Sequence, residues 1–366
     1  MATEDRYSWA DPGLEEVADG VFRCPLPLPG DALRAVNSYL VRSDDGYLVV
    51  DCGWDRAESR SQLTGYLAQL GAELGSIQGV FATHCHWDHL GAAGWLRDES
   101  GAWVSLGRGD RDTAVASAEE PERSRQAALE RLRACAAPDV AERLGAERGG
   151  GQEERWRAPL PDLYLVGAEL LRHGGRELDV LSTPGHTRGH LCLFDRARGI
   201  LFAGDHVLPQ ITPSLGVELP VPGDSPLASF MSSLELVREL PASTVLPAHG
   251  PAFQGLRERV DDLLEHHRVR LADCLEAVAA EGSSAREVAG RLPWTRRRRR
   301  FEELDGFNQM LAVFESDAHL MVLAEQGLLR QHQGPDGTRY LLLTEQPSGR
   351  ARTGPEEEYG SDSQPG

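Results

Sequence analysis

Short apolar runs bounded by Gly, Asp and Pro mark the first part of the chain, a pattern of strands separated by turns. Strands are expected at Gly20-Val21-Phe22-Arg23, Ser38-Tyr39-Leu40-Val41 and Tyr47-Leu48-Val49-Val50, the last two closing a hairpin over Asp44-Asp45-Gly46. Leu63, Leu67 and Leu70 then fall at helical spacing, and the apolar run at 80–82 predicts a strand that delivers the next segment onto a loop. Strand patterning resumes at 177–181, 190–194 and 200–203, each run ending in a turn.

Between these stretches, residues 110–145 are rich in Ala, Arg and Glu, carry Leu129 and Leu132 at helical spacing, and lead into Gly149-Gly150-Gly151. This predicts a helical insertion over about 110–160, to be read either as a solvated amphipathic surface or as a lid. After Pro251 the period changes: Val260, Leu263, Leu264, Leu271, Leu275 and Val278 predict a long helix over 256–281. A short helix opens at Ser284, a longer one covers 307–325, and a hairpin flanks Gly334-Pro335-Asp336-Gly337. The expected organisation is an arm (1–16), a main unit (17–251), a winged-helix-like helical unit (252–345) and a disordered tail (346–366) rich in Pro, Gly, Ser, Glu and Asp.

A chain of 366 residues exceeds what a single core comfortably supports, in keeping with two units. Its formal charge of −19 repels a phosphate backbone over most of the surface, so nucleic acid is not the favoured partner. The start lacks a basic leader and no window has the roughly 18 apolar residues of a membrane span, so the expectation is a cytoplasmic protein without membrane contact. The six cysteines are scattered, which fits reduced thiols without disulfides.

Candidate chemistry sits in the turns. His84, His86, Asp88 and His89 crowd the loop after residue 82, and His186, Asp205 and His249 each follow a later apolar run. Imidazole and carboxylate donors suit borderline divalent cations, and no Cys-x-x-Cys pair is present to build a closed thiolate cage. Seven such donors match two zinc-type ions that share one carboxylate.

The His-x-His-x-Asp-His run, with the later His, Asp and His in order, resembles the metallo-β-lactamase fold superfamily, which includes glyoxalase II-like thioesterases; the likeness covers about residues 17–251. The resemblance implies an α/β fold, an αββα sandwich of two mixed sheets. It assigns His84, His86 and His186 to one metal, Asp88, His89 and His249 to a second, and Asp205 to both. It further implies a dinuclear hydrolase with a metal-bridging hydroxide and two divalent ions, zinc first, iron or manganese otherwise. Asp88 is then a candidate for proton transfer to the leaving group. The helical tail adds a likeness to the subset of the β-lactamase-like protein 2 type. A small-molecule or carrier-linked acyl thioester is the expected substrate; RNA or another phosphodiester is the alternative, and a mononuclear iron persulfide dioxygenase is a further one.

Neighbouring residues are read more plainly. Cys85, between two ligands, should point away as a buried thiol, and His190 should support rather than bind metal. His206 either lines the cleft with Pro209, Ile211 and Thr212 or packs; Trp54 and Trp87 form an apolar wall or core. Asp51 is placed to orient a ligand, and the helical-tail histidines His266, His267, His319 and His332 are surface or packing groups. The run Arg296-Arg297-Arg298-Arg299-Arg300 is either a solvated helix start balanced by Glu302, Glu303 and Asp305, or a contact for an anionic substrate or RNA.

Overall fold

Strands whose two faces are both apolar need cover on both sides. The computed structural model, which describes residues 5–146, 158–218, 221 and 223–343, meets that need with four layers. The triple glycine at 149–151 and the tail from 346 lie outside the described residues.

Among the described residues the first sheet runs in chain order: β1 (Glu15–Ala18), β2 (Val21–Pro27), β3 (Ala35–Ser43), β4 (Gly46–Val50), β5 (Ile77–Phe81), β6 (Trp103–Gly107) and β7 (Leu163–Leu165). It is antiparallel from β1 to β4 and parallel from β4 to β7. The second sheet holds β8 (Leu170–His173), β9 (Arg176–Ser182), β10 (Leu191–Asp195), β11 (Ile200–Gly204) and β12 (Thr244–Pro247), and only its β11–β12 pair is parallel. A separate hairpin joins β13 (Leu329–Gly334) to β14 (Gly337–Leu342). The helices are α1 (Ala57–Gln69), α2 (Ala93–Ser100), α3 (Arg111–Glu119), α4 (Pro121–Ala134), α5 (Pro138–Ala146), α6 (Pro226–Arg238), α7 (Leu256–Ala277), α8 (Ala285–Arg291) and α9 (Gly306–Glu325).

Side-chain alternation sorts the core into three slabs. Tyr39, Val41, Leu48 and Val50 face the second sheet and meet Leu191, Leu193, Ile200 and Phe202. Their neighbours Leu40, Tyr47 and Val49 face the other way, onto Leu63, Tyr66 and Leu67 of α1 and Leu96 of α2. From the second sheet, Cys192, Phe194, Leu201 and Ala203 point outward into a cluster built with α6, α7, α8 and α9. The result is the expected α/β sandwich of two mixed sheets with helices outside. The apolar period does not single out β6, β7, β8, α2 or α6.

The insertion is amphipathic, with most of the described side chains of α4 exposed and one face turned to the core. Leu132, Cys135, Val140 and Ala141 are buried in the same cluster as α9, and Arg143 donates to Gln309 at 3.1 Å. Arg131 pairs with Asp317 at 3.3 Å, so a helix forms because one face has a core to cover. In the C-terminal part, Ser284 and Glu287 close a capping box at α8, and Tyr340 of β14 is buried with its hydroxyl donating to Asp317. We place the start of this unit at 252, where the turn after β12 leads into α7. No helix among the described residues is long and apolar enough to cross a membrane.

Phe202 lies between the sheets, 1% exposed, with its ring edge-on to Tyr39 at 5.6 Å. Phe202→Ala is expected to lower the unfolding free energy by about 3–5 kcal/mol, read from urea denaturation midpoints.

Candidate metal centre

Each of the seven residues singled out in the sequence stands just beyond a strand: His84, His86, Asp88 and His89 after β5, His186 after β9, Asp205 after β11 and His249 after β12. The strand ends converge on one edge of the sandwich, and the seven side chains meet there. His84 Nε2, His86 Nδ1 and His186 Nε2 form a triangle with sides of 2.9, 3.1 and 3.2 Å. Beside it, His249 Nε2 lies 3.4 Å from Asp88 Oδ2, and His89 Nε2 lies 3.5 Å from the same oxygen. Asp205 stands between the two groups: Oδ2 is 3.4 Å from His186 Nε2, while Oδ1 is 3.4 Å from His249 Nε2 and 3.7 Å from His89 Nε2.

The outer sides of the rings are committed. His186 Nδ1 donates to the Ser214 carbonyl at 2.7 Å, His249 Nδ1 to the Ala35 carbonyl at 2.9 Å, and His89 Nδ1 to Asp51 Oδ2 at 2.8 Å. Thr83 donates its hydroxyl to Asp51 at 3.0 Å, which leaves its oxygen to accept from His84 Nδ1 at 3.1 Å. These bonds fix the proton on Nδ1 and turn an Nε2 lone pair inward. His89 Nε2, His249 Nε2 and Asp205 Oδ1 are buried without a hydrogen-bond partner. Lone pairs crowded in this way repel one another unless a cation lies among them. Tetrahedral coordination with bonds of about 2.0–2.1 Å separates ligand atoms by about 3.3–3.4 Å, close to the spacings seen. The donor set therefore fits a divalent metal.

Protonation preferences differ across the site. Burial, reinforced by His89, His86 and His186, pushes His84 well below its ordinary range, and burial with His186 beside it takes His86 down to about 3. Burial opposes charge at His89 as well, yet Asp88, Asp51 and Asp205 together lift it to about 10. Asp88 and Asp205 resist burial because His89 and His249 hold them below the usual carboxylate range. One side thus disfavours protons while the other attracts positive charge, and metal binding displaces protons from that second side.

Asp51 is the hub behind the ligands, accepting from the Thr83 backbone at 2.8 Å as well as from Thr83 Oγ1 and His89. It holds a left-handed conformation, φ 55°, which an Asp tolerates better than most residues. His190 is fully buried; it accepts from the Asp205 backbone at 3.2 Å through Nε2 and so donates through Nδ1 to Thr183 Oγ1 at 2.8 Å. Cys85 is buried in the slab on the helix side of the first sheet, and all six cysteines are free thiols. His206 is fully buried, packed on Phe230 at 5.0 Å between ring centroids, and does not line a cleft. Trp54 and Trp87 pack on each other at 4.6 Å against the same helix-side core. On the other side of Phe230, whose ring His267 meets at 5.5 Å, His267 and His319 are buried against each other at 3.2 Å, whereas His266 and His332 are exposed.

Sequence reasoning passed over Asp110. Fully buried, it accepts from the Cys85 backbone at 2.9 Å, Thr187 Oγ1 at 2.9 Å and the Gly189 backbone at 2.6 Å, and so clips the His84–His89 loop to the His186 loop. A side chain at Gly107 would come within 1.8 Å of the Gly189 carbonyl, so glycine is what lets the end of β6, and Asp110 after it, approach the His186 loop. The available signal was an acid shortly after a strand end, as Asp51 and Asp205 also are. Glu218 lies nearby and accepts from the Arg188 backbone at 2.6 Å and from Thr113 at 3.0 Å.

Asp110→Ala orphans three buried donors and is expected to cost at least about 3 kcal/mol of stability, measured by thermal or urea unfolding. Burial, with Asp110 beside it, pushes the Glu218 carboxyl up. A raised carboxyl stabilises the fold at acid pH and loses that contribution as pH climbs through its shifted value. The melting temperature of the wild type relative to Glu218→Gln should accordingly fall between pH 5 and pH 8, values chosen as roughly bracketing neutrality; a flat difference would contradict the assignment.

Residues 31–249 match the family model described as the metallo-beta-lactamase superfamily. The chain is 24% identical over 270 residues to a beta-lactamase-like protein 2 homolog of Caenorhabditis elegans, covering 72% of this chain and 73% of that protein. It is 29% identical over 248 residues to the human acyl-coenzyme A thioesterase MBLAC2, covering 65% and 81% respectively. A crystal structure of a metallo-beta-lactamase family protein from Thermus thermophilus superposes with a TM-score of 0.74 at 26% identity, covering 90% of this chain and all (100%) of the other. The sandwich, the converging donors and the matched span agree, and the chain belongs to the metallo-beta-lactamase superfamily.

Proposed function

We propose that this protein, a hydrolase of that superfamily, binds two divalent ions and cleaves an acyl thioester. The observation that carries the reading is the position of Asp205, whose two oxygens face different donor groups at 3.4 Å. His84, His86 and His186 would hold one ion, Asp88, His89 and His249 the other, with Asp205 common to both. When bound, such a pair supplies an activated water near neutral pH and polarises the acyl carbonyl.

The chain's own groups favour a particular leaving group. His84, His89, His186 and His249 have their Nδ1 protons committed to fixed acceptors, and both carboxylates are held ionised. None of these four histidines has an Nδ1 proton free to give. Amines and alkoxides need one to depart, whereas a thiol with a pKa of about 8.5 leaves as the thiolate. Asp88, depressed by His89 and His249, is too weak a base to draw a proton from water unaided, so its part is to hold charge at the second ion and relay a proton only afterwards. The name of the human relative, an acyl-coenzyme A thioesterase, is in keeping with this reading.

Elemental analysis of the purified protein should find about two divalent ions per chain. Asp205→Ala should lose at least one of them and reduce hydrolysis of an acyl thioester by at least about 100-fold. Asp51→Asn, which touches no substrate, should weaken metal retention by about 10–100-fold. One iron per chain with oxygen uptake on a persulfide, or cleavage of single-stranded RNA with thioesters untouched, would overturn the proposal.

A further inference from the structure

The run of five arginines has no part in the chemistry above, yet it does not lie far from it. Arg296 donates to the backbone carbonyl of Gln210, in the loop that leaves Asp205. Five residues extend at most about 18 Å, so the carbonyl that the Arg296 guanidinium holds lies within that reach of Asp205. Arg259 holds the same loop by the carbonyls of Leu208 and Ile211, at 2.7 and 2.8 Å. Pro209 packs against Gly250, the residue after His249: a side chain there would come within 2.6 Å of the proline ring. The loop is therefore wedged between the His249 turn and the arginines.

The turn itself is rigid and strained. Trp294 and Arg299 exchange backbone hydrogen bonds of 2.8 and 2.7 Å, and the Trp294 ring is buried with its Nε1 donating to the Ala289 carbonyl at 2.8 Å. Arg270 lies over that ring at 4.3 Å. Thr295 and Arg298 adopt positive φ, 62° and 53°, where glycine would relieve the strain.

Its two central charges, on Arg297 and Arg298, are also left unpaired among the described residues. All five side chains are exposed. Of the three acids expected to balance them, Glu303 pairs with Arg300 at 3.4 Å and Asp305 caps α9 through Asn308 at 2.8 Å. Among the described residues Glu302 pairs with none, and the guanidinium groups of Arg297 and Arg298 make no ion pair or hydrogen bond. A cavity of about 550 Å³ beside the His186 loop also contains Arg188, but there Asp224 pairs with it at 3.0 Å, and Asp112 and Glu130 share the walls.

We propose that the turn centred on Arg297 and Arg298 binds the clustered phosphates of the carrier to which the acyl group is attached, while the thioester reaches the metal centre past the 206–211 loop. This rests on the thioester reading and names the class of its substrate: a phosphorylated, nucleotide-type small carrier. Removing the five charges from the formal −19 leaves −24, so an acidic carrier protein or a long RNA meets repulsion beyond the turn. A compact polyanion does not, because its charge lies within about one Debye length, 8–10 Å, of the arginines.

The test compares an acyl-coenzyme A with the same acyl group on N-acetylcysteamine, which has the thioester and no phosphate. In the double variant Arg297→Ser/Arg298→Ser, KM for the coenzyme A ester should rise about tenfold or more, with kcat unchanged and the phosphate-free ester hydrolysed as by wild type. The rise should shrink at high salt. Equal KM changes for both esters, or none, would overturn the inference, as would loss of binding to a single-stranded RNA oligonucleotide or an acyl carrier protein with the coenzyme A ester unaffected. Failure of the wild type to cleave either ester would instead strike at the thioesterase reading; retained binding of adenosine 3′,5′-bisphosphate, lost in the variant, would then still report on the turn.

Discussion

Buried lone pairs facing one another are the constraint around which this molecule is organised. His84, His86 and His186 bring three ring nitrogens within 3.2 Å, and Asp88, His89, His249 and Asp205 crowd the adjoining space with little exposure to water. Without a cation such a cluster is poorly satisfied, which is why His89, His249 and Asp205 each present a buried atom with no hydrogen-bond partner. The arrangement persists because the rest of the fold holds four of the five rings from behind.

That support comes from several parts of the chain at once. Asp51 and Thr83 fix His89 and His84; the carbonyls of Ser214 and Ala35 fix His186 and His249; His190 carries the backbone of Asp205. Asp110 ties the two ligand loops together from beneath. Each of these bonds removes a rotation that a ligand would otherwise have to give up on binding metal.

The helical additions serve the same end. The insertion and α6 to α9 share one apolar cluster with the outward face of the second sheet, so the elements around the site are braced by a common core. This places the arginine turn before α9 against the loop leaving Asp205, joining the C-terminal helices to the edge where the seven donor side chains gather.

What the chain declares locally is periodic or compositional. Strands β2 to β5 and β9 to β11, helices α1, α7 and α9, the cap at Ser284 and the seven donors after apolar runs can be read because alternation, helical spacing and ligand type are properties of neighbouring residues. Strands β6 to β8 and helices α2 and α6 are short or have mixed faces, and their state depends on the sheet edge or core they cover. Asp110 and Arg296 belong to the same class of information. Nothing beside Asp110 in sequence shows that it meets Cys85 and Gly189, and nothing beside Arg296 shows that it holds Gln210. The sequence by itself determined which side chains can bind metal and on which kind of element they stand. Only the tertiary structure decided which of them face each other, because hydrogen bonds and charge act through space between strand ends far apart along the chain.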